Sequence, residues 1–330
     1  MTDTTVATGL TVENWDAKFF TENMMANRFK REMGTSSKNI IQLKTDLTKK
    51  KGESITYALV NRLTGAGVTG SSTLEGNEED MESRSFKLSV NKIRNAVRVA
   101  EVDEQFSAIS LRQAGKEVLQ DWMMEKTRDD IITALHQING VAYGSASESQ
   151  KDTWLTDNAD RVLFGNAIGS GTDHSARLGA VTAAMKLGPE EVSLMKRMAS
   201  TASPKIRPTR ATEDERYFVL YCDSLTFRDF AANATITQAN RDALARGKSN
   251  PLFAGGDLIW DGVIVKEIPD IPSLGQVGAS NARVSAAFMC GAQAIGFAYA
   301  KRTTSKTEEF DYGDKVGVAV EEIRGIGKMV

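Results

Sequence analysis

The feature that most constrains this chain is a long polar connection between two short strand-like runs. Residues 55–59 alternate apolar with polar or small side chains, and residues 86–90 repeat that alternation. The sequence between them, LTGAGVTGSSTLEGNEEDMES, is rich in Gly, Ser and Thr and then in carboxylates. Because such a sequence cannot bury itself, we predict a long hairpin whose connection projects as an extended loop. In a monomer a loop of this length is uncommon unless it binds something.

This loop and the segment before it carry opposite charges. Residues 28–51 hold eight Lys or Arg against two acids, and residues 52–85 hold two Arg against six acids. The basic residues singled out are Arg28, Lys30, Arg31, Lys49, Lys50 and Lys51, and the acidic ones are Glu75, Glu78, Glu79, Asp80 and Glu82. We predict that the acidic loop docks on a basic surface of a neighbouring subunit, the basic segment being the nearest candidate. A solvated loop and a solvated tail are the alternatives.

The chain as a whole is nearly neutral, with 41 Lys and Arg against 43 Asp and Glu over 330 residues. This charge balance argues against a protein that binds nucleic acid over its whole surface. The first residues show no targeting segment, so we expect a cytoplasmic chain. The longest apolar stretch, residues 284–300, is interrupted by two Gly and one Gln, and we expect two strands and a turn there instead of a membrane span. Cys222 and Cys290 lie in apolar runs, which favours two unpaired core residues over a disulfide.

The clearest helix is predicted from Ser110 to Gln137. Ser110 with Gln113 fits a capping box, and the Asn139–Gly140 pair is a typical stop. The apolar side is assigned to Val118, Trp122, Ile131, Leu135 and Ile138. At about 1.5 Å per residue this helix would run roughly 40 Å and span the molecule as a spine.

The remaining segments predict an α+β chain. Helical sequence is expected at residues 14–33, after Gly188–Pro189 and in parts of 227–246, whereas residues 140–188 predict only loops and a weak helix. Strands are predicted at residues 217–222, 258–260, 263–268, 288–290, 295–299 and 316–323. Because these strands cluster without a helix between each pair, we expect antiparallel sheets.

Four features of the sequence suggest chemistry, and each fails a physical requirement. Gly65–Gly70 matches the dinucleotide fingerprint, but that fingerprint needs a helix N-terminus at its last glycines and residues 71–77 are poor helix material. The adjacent residues Asp-His-Ser at 173–175 cannot aim a base at a nucleophile. His136 has no partner at zinc-site spacing, and the acidic loop fits no calcium-binding pattern. We predict no catalytic residue, cofactor or metal, with a nucleotide-dependent enzyme using Gly65–Gly70 as the alternative of another class.

Several blocks of the sequence resemble the major capsid proteins of podovirus-like tailed bacteriophages. They are KGESITYALVNRLTGAGVTGSSTLEGNEEDMESRSFKLSVNKIRNAVRV from Lys51, SPKIRPTR from Ser203, YFVLYCDSLTFRDF from Tyr217 and NPLFAGGDLIWDGVIVKEIPDI from Asn250, with residues 316–329 in a matching place. The resemblance covers most of the chain in the correct order. It implies the Hong Kong 97-type capsid fold, which has an N-terminal arm, an extended hairpin loop, a peripheral domain on a long spine helix, and an axial domain.

The resemblance also implies domain bounds, a function and partners. The arm would be residues 1–51, the extended loop 52–99, the peripheral domain 100–187, the axial domain 188–254 and the axial and peripheral return strands 255–330. The chain would self-assemble as hexamers and pentamers into the icosahedral shell that encloses the double-stranded DNA of a tailed phage, with nonspecific DNA contact. A portal and a cement protein are further expected partners, with no membrane, and synthesis is expected in the host bacterial cytoplasm. An encapsulin-type bacterial compartment is the alternative on the same fold.

Two departures from the family pattern limit what the resemblance implies. Some relatives join subunits covalently through a Lys on the extended loop, yet residues 52–86 contain no Lys. A noncovalent shell is therefore expected. Others carry a long N-terminal scaffold segment that is cut away, whereas only residues 1–51 precede the loop here. We therefore expect a separate scaffolding protein.

Overall fold

The structure is a computed structural model that describes residues 29–45, 52–60, 65, 67–71, 73–76, 78, 83–166, 171–210, 216–244 and 257–329. The α-helices are α1 (Glu101–Phe106), α2 (Leu111–His136), α3 (Glu148–Asp157), α4 (His174–Gly179), α5 (Pro189–Thr201), α6 (Ser224–Ala231) and α7 (Ala234–Leu244). The strands are β1 (Met33–Gly34), β2 (Ile41–Lys44), β3 (Ser54–Val60), β4 (Ser83–Ser89), β5 (Asn91–Ala100), β6 (Thr209–Arg210), β7 (Arg216–Cys222), β8 (Leu258–Trp260), β9 (Val263–Glu267), β10 (Ser273–Gly275), β11 (Val284–Ser285), β12 (Phe288–Cys290), β13 (Ile295–Phe310) and β14 (Lys315–Lys328). Of the described helices, none has the length and apolar character needed to cross a membrane.

These strands form two five-stranded sheets, a separate hairpin, and a two-stranded sheet of β10 and β11. The first sheet has the order β1-β2-β13-β14-β5, and the second has β12-β7-β9-β8 with β6 paired to β7. The predicted hairpin is confirmed as β3 and β4, with Tyr57 opposite Phe86. The expectation of antiparallel sheets is wrong for three pairs, because β2 runs parallel to both β1 and β13, and β7 runs parallel to β9. A parallel pair needs a long crossover, and α6 and α7 supply one between β7 and β9.

The antiparallel pair of β13 and β14 is the longest strand pair of the first sheet. The strands predicted at residues 295–299 and 316–323 are confirmed, but β13 extends for 16 residues and β14 for 14. The second half of β13 is polar: Thr303 and Ser305 are buried on one face, while Lys306 on the other face is exposed. The sequence did not predict this part of β13, because polar side chains on both faces remove the apolar–polar alternation that marks a strand.

The predicted spine helix is confirmed as α2. The Ser110 hydroxyl accepts a hydrogen bond from the Gln113 backbone N–H, whereas the Gln113 side chain turns to Glu117, so only half of the predicted capping box forms. The buried row takes every fourth residue: Gly115, Leu119, Met123, Thr127, Ile131 and Leu135. Val118, which was assigned to the apolar side, is 60% exposed. That assignment was wrong because a glycine and a threonine interrupt the row that packs on the sheet.

Buried charged groups fasten α2 to β14. The Arg324 guanidinium lies 2.7 Å from an Asp130 carboxylate oxygen and 3.1 Å from a Glu322 carboxylate oxygen, and it also donates to the Thr127 hydroxyl. The Thr303 hydroxyl donates to Glu322 over 2.6 Å. Burial raises the pKa of Glu322, and Arg324 opposes that shift. Neither charge has access to solvent, so each depends on the other.

Two further segments differ from expectation. Within the helix predicted at residues 14–33, residues 14–28 lie outside the described residues, residues 30–32 form a single 3₁₀ turn, and Met33 begins β1. Met33 is extended because β1 pairs with β2. Residues 140–188 contain the helices α3 and α4 where loops and one weak helix were expected. The helix α3 begins in a full capping box between Ser147 and Gln150, which its polar composition concealed.

The largest hydrophobic cluster joins the C-terminal half of α2 to both large sheets, through residues that include Ile131, Phe297 and Tyr221. Phe29 is fully buried in this cluster, with its ring edge-on to Tyr221 at a centroid distance of 5.1 Å. A second cluster lies under α5 and α6 on the other side of the second sheet. Both cysteines are buried and free, as predicted.

Candidate subunit-contact surfaces

The root of the β3–β4 hairpin is fixed to the first sheet. Tyr57 is buried, and its hydroxyl donates to the Phe297 carbonyl oxygen over 3.0 Å. Ile55 and Leu88 pack with Tyr57 and with Ala298 of β13 in one buried cluster. The hairpin is therefore held by side chains from both of its strands and by a hydrogen bond to the sheet backbone.

Glycines in the first sheet make room for this root. A Cβ atom added at Gly325 would lie 2.2 Å from the Ser89 carbonyl oxygen, and one added at Gly296 would lie 3.2 Å from the Tyr57 ring. Gly296 pairs with Gly327, which is two residues from Gly325 in β14, so all three glycines share one face of the sheet. The hairpin root covers one end of that face.

The loop that joins β3 to β4 is at the surface wherever it is described. Glu75 and Glu78 are exposed, and a Glu78 carboxylate oxygen accepts a hydrogen bond from the Gly76 backbone N–H over 2.7 Å. Glu79, Asp80 and Glu82 lie outside the described residues. The described carboxylates take part in no ion pair within the parts of the chain that the structure describes, so their charge is available to another molecule.

The basic segment is described only in part. Lys30 and Arg31 are exposed in the 3₁₀ turn at residues 30–32, and Arg28, Lys49, Lys50 and Lys51 lie outside the described residues. Among the described residues, no ion pair joins this segment to the acidic loop of the same chain. Within one subunit, therefore, the described cations Lys30 and Arg31 form no ion pair with the described acids Glu75 and Glu78.

Glu32, next to the two exposed cations, ties the same segment to the second sheet. Its buried carboxylate bonds to the Lys266 ammonium group, which also lies 3.7 Å from Asp257. Burial raises the pKa of Glu32, and Lys266 opposes that shift. The negative charge of Glu32, one of the two acids in residues 28–51, is thus neutralised by Lys266 of the same subunit. Sequence reasoning missed this pair because the partners are 234 residues apart.

A second basic surface, also missed from the sequence, lies at the other end of the face that carries the hairpin. Its cations are Lys92, Arg94 and Arg98 of β5 and Lys301 and Lys306 of β13. Glu321 of β14 lies among them and contacts three ammonium groups: Lys301, Lys92 at 2.9 Å and Lys306 at 3.0 Å. These contacts hold the pKa of Glu321 well below its usual range. The strand-period spacing of residues 92, 94 and 98 is the signal that would have found this surface.

Large apolar side chains are exposed in α1, in the connection from α1 to α2, near the start of α2 and in the β13–β14 turn. We call this surface the apolar tip and define it as Val102, Phe106, Ile109, Val118 and Tyr312. Phe106 is 85% exposed, and Tyr312 lies in the β13–β14 turn, which a hydrogen bond from the Glu101 N–H to the Asp314 carbonyl oxygen joins to α1. Large exposed apolar side chains of this kind are candidates for an interaction site.

A hairpin fixed to the sheet at its root, a long helix, and exposed charged and apolar surfaces are features of a subunit that assembles with others, and sequence comparison agrees. A sequence model of the family described as phage capsid protein matches residues 3–330. This chain belongs to that family. The major capsid protein of Pseudomonas phage KPP25 is 26% identical over 343 residues, which cover 95% of this capsid protein and 88% of that relative.

Solved capsid structures agree with the family. The capsid asymmetric unit of Cyanophage Pam1 has a TM-score of 0.83 and 33% identity, covering 100% of this chain and 95% of that one. The capsid of Ralstonia phage GP4 has a TM-score of 0.75 and 21% identity, covering 92% and 87%. The capsid protein has the Hong Kong 97-type α+β fold that the resemblance implied. The predicted capsid function is confirmed, and the comparisons support neither the encapsulin-type compartment nor the nucleotide-dependent enzyme.

In this capsid protein the Gly65–Gly70 loop lacks the geometry of a dinucleotide site. Gly67 and Gly70 are exposed and have positive φ angles of 68° and 73°. The described residues between 71 and 78 form turns and bends, and no helix begins there. A pyrophosphate would therefore meet no helix N-terminus at this loop.

The Asp-His-Ser string of the capsid protein is a helix cap. Asp173 accepts hydrogen bonds from the Ala176 backbone N–H and from the Ser175 hydroxyl, both over 2.9 Å, and so begins α4. His174 turns away, with its Nε2 3.4 Å from the Tyr143 hydroxyl. Within the described residues no group of three or more His, Cys, Asp or Glu side chains is arranged to hold a metal ion.

Both histidines of the capsid protein line one cleft of about 2520 Å³. His136 donates through Nδ1–H to the Ile132 carbonyl oxygen over 3.0 Å, and its ring packs edge-on against Phe288. His174 Nδ1 lies 3.5 Å from a Glu148 carboxylate oxygen. Burial lowers the pKa of both histidines, and the Glu148 charge opposes that shift at His174.

Proposed function

We propose that copies of this capsid protein associate as hexamers and pentamers into an icosahedral shell that encloses the double-stranded DNA of a tailed phage, with no catalytic step of their own. The observation that carries this proposal is the hairpin, which is fixed at Tyr57 yet presents Glu75 and Glu78 to solvent. Glu75 and Glu78 form no ion pair among the described residues of their own subunit, so the exposed loop is suited to contact with another molecule. In a lattice, modest symmetric contacts add up as copies close the shell.

The assembly surfaces follow the domain bounds implied by the family. Residues 1–51 act as the arm, 52–99 as the extended loop, 100–187 as the peripheral domain on the spine helix, 188–254 as the axial domain, and 255–330 as the return strands. The hairpin root at Ile55 and Leu88 supports the bounds of the extended loop, since both residues flank the exposed connection.

The acidic loop pairs with a basic surface of a neighbouring subunit. Lys30 and Arg31 of the arm are suited to this role because they are exposed and Glu32 beside them is already neutralised by Lys266. These contacts are noncovalent, because residues 52–86 supply no Lys for a crosslink. They weaken as salt screens the charges.

The apolar tip is covered by a second copy of the chain. Its side chains are exposed, and Phe106 gains most from burial because it is the most exposed of the aliphatic and phenyl side chains of this surface. An assembling subunit can bury such groups only against neighbours.

The other partners follow from the capsid role. A separate scaffolding protein and a portal assist assembly, a cement protein decorates the shell, and the packaged DNA makes nonspecific, salt-sensitive contacts. The chain is made in the host bacterial cytoplasm before it enters the virion capsid. The near-neutral total charge supports weak DNA contact of this kind.

The test is a charge reversal in the loop. Glu78→Lys, Glu79→Lys and Asp80→Lys are combined in the full chain, which is expressed with its neighbouring head genes, and closed shells are counted by electron microscopy and sedimentation at low and high salt. We expect shells to be lost, and we expect the matched neutral variant (Glu78→Gln, Glu79→Gln, Asp80→Asn) to give an intermediate yield. Unchanged shells at both salt concentrations would contradict the electrostatic role of the loop.

A further inference from the structure

The large cleft that both histidines line is strongly cationic. Nine of its lining residues are Lys or Arg, whereas two, Glu191 and Asp229, are acids. The whole chain, by contrast, has 41 Lys and Arg against 43 Asp and Glu. Positive charge is therefore concentrated at this surface of a nearly neutral protein. We call this surface the cationic cleft.

Five cations of the cationic cleft are exposed and form no ion pair within the parts of the chain that the structure describes. They are Lys205, Arg207, Arg216, Arg228 and Arg283. Two nearby acids pair with other cations: Asp229 lies 3.3 Å from Lys186, and Asp261 lies 2.6 Å from Lys196. The five exposed charges are thus available to an anion from another molecule.

These five cations are held on segments that converge from different parts of the chain. Lys205 and Arg207 follow α5, Arg216 begins β7, Arg228 lies on α6 and Arg283 precedes β11. The Ser203 backbone N–H donates to the Asp160 carboxylate over 2.8 Å. The Ala292 backbone N–H donates to the Arg207 carbonyl oxygen over 2.7 Å. These bonds fix the segment after α5 on both sides, so a bound anion does not have to order it.

Lys328 adds a positive charge deeper in the cationic cleft. Its ammonium group donates to the carbonyl oxygens of Leu135 over 3.3 Å and Gln137 over 2.6 Å, and it lies 5.2 Å from the centroid of the Trp154 ring. Burial lowers the pKa of Lys328 to about 8, so this group is still mostly protonated at neutral pH. An anion in the cleft would therefore meet positive charge beneath it as well as around it.

The chemistry of these cations favours phosphate as the ligand. Four of the five exposed cations are arginines, and a guanidinium group binds phosphate oxygens through two parallel hydrogen bonds. Phosphate contacts dominate nonspecific binding to double-stranded DNA. A nearly neutral protein can make such contacts only where its positive charge is concentrated. We propose that the cationic cleft binds the phosphate backbone of the packaged double-stranded DNA, an inference that rests on the proposed function and names the site of the DNA contact.

Binding of a DNA duplex to the free subunit, as the full chain, tests this site. Lys205→Gln, Arg228→Gln and Arg283→Gln are combined, and fluorescence anisotropy of a short labelled duplex measures the Kd over a series of salt concentrations. The Kd should rise by about tenfold or more at low salt, and the slope of log Kd against log salt should fall by about three, because three phosphate contacts are lost. Circular dichroism checks that the variant is folded. An unchanged Kd and slope in a folded variant would overturn the proposal.

A matched control separates the cleft from total charge. Lys87→Gln, Arg94→Gln and Arg98→Gln remove the same charge from exposed positions outside the cleft, so the Kd should change by less than about twofold. Equal weakening by the two triple variants would overturn the proposal, because total charge would then explain binding. Arg283→Gln alone repeats the test if the cleft variant does not fold. Its slope should fall by about one, and an unchanged slope would then overturn the proposal.

Competition with other anions identifies the ligand. A duplex carries one charge per about 1.7 Å of its axis, whereas extended polyglutamate carries one per about 3.3 Å, so polyglutamate at equal charge should displace the labelled duplex less than unlabelled duplex does. Equal displacement would overturn DNA as the occupant in favour of an acidic protein segment. Inorganic phosphate should displace the duplex only weakly, and displacement at the same phosphate concentration as unlabelled duplex would assign the cleft to free phosphate instead.

The connection between β6 and β7 contains three acids, Glu213, Asp214 and Glu215, which lie outside the described residues. They are neutralised together as Glu213→Gln, Asp214→Asn and Glu215→Gln. The Kd for the duplex should fall by less than about threefold, as expected when nearby like charges are removed. A chain that binds the duplex only after this change would overturn the proposal, because its own acids would then occupy the cleft.

Shell formation distinguishes failure of this inference from failure of the proposed function. The full chain is expressed with its neighbouring head genes, and closed shells are counted by electron microscopy. Shells that form from an original chain whose free subunit binds no duplex would overturn the cationic cleft alone. An original chain that forms no shell would contradict the proposed function itself.

Discussion

The two halves of the spine helix α2 are packed very differently. The C-terminal half places Ile131, Ile132 and Leu135 in the largest hydrophobic cluster and binds β14 through Asp130 and Arg324. The N-terminal half packs on the sheet through a small cluster that contains Leu119 and Met123, and it leaves Val118 and the rest of the apolar tip in solvent.

From this difference we infer that the buried half of α2 stabilises the subunit fold, whereas the exposed apolar residues near its start serve assembly. Groups in the buried half have all their partners inside the subunit, so changes there should alter the free energy of unfolding. The side chains of the apolar tip are largely exposed, so changes there should alter association and leave the subunit fold intact. The following predictions test that division, from the largest expected effect to the smallest.

Arg324→Met should cause the greatest loss, because it leaves the Glu322 carboxylate and Asp130 without their buried cation. Removing one partner of such a pair costs about 3–5 kcal/mol. Urea unfolding of the free subunit measures the change. Adding Glu322→Gln should restore part of the loss, since the unpaired charge is then gone, and a double variant no more stable than Arg324→Met alone would show that the pair is not the cause.

Ile131→Ala should be the next most severe change. The side chain is fully buried in the cluster that joins α2 to both sheets, and its truncation should cost about 2–5 kcal/mol in the free energy of unfolding. Val118→Ala on the same helix is the control and should cost under about 0.5 kcal/mol. Equal losses from the two substitutions would refute the division between the halves.

The contrast between the halves also shows where sequence reasoning succeeded. Local signals were sufficient for the elements: Ser110 and the Asn139–Gly140 pair bracketed α2, Gly188–Pro189 opened α5, and alternation located both hairpin strands. Family resemblance supplied the capsid fold. These features depend on residues that are close in sequence or on blocks long enough to be recognised.

What failed depends on partners that are distant in sequence. The buried face of α2 was misassigned at Val118 because only the packed sheet shows that Gly115 and Thr127 belong to the inner row. The Glu32–Lys266 pair and the second basic surface, on β5 and β13, arise where segments distant in sequence meet. Charge patterning alone therefore identified the acidic loop and could not identify this basic surface.

Acid should weaken the buried end of the helix through His136, the last residue of α2. Its folded-state pKa is lowered by burial, so as pH falls through the ordinary histidine range the unfolded chain binds the proton first and stability is lost. His136→Gln should roughly halve the drop in Tm between about pH 7.5 and about pH 5.5. His174→Gln should have a smaller effect, because Glu148 opposes the shift there.

If the original chain and the His136→Gln variant have identical Tm profiles against pH, His136 does not contribute to the loss of stability in acid. The protein has two histidines, so a variant with both replaced serves as the baseline for all other titrating groups. Carboxylates such as Glu321 should keep their own response at lower pH, because their stabilisation is lost only as pH falls below the ordinary range of a carboxyl pKa.

Phe106→Ser, at the apolar tip, should have the smallest effect on folding. The side chain is 85% exposed, so the free energy of unfolding of the free subunit should change by less than about 0.5 kcal/mol. Shell yield should nevertheless fall, since each copy would lose apolar area that a neighbour buries, and the repeated loss multiplies over the lattice. Glu125→Ser, at an exposed charged position of α2, is the control. A Phe106→Ser chain that unfolds more easily while assembling normally would show that Phe106 contributes to folding and not to association.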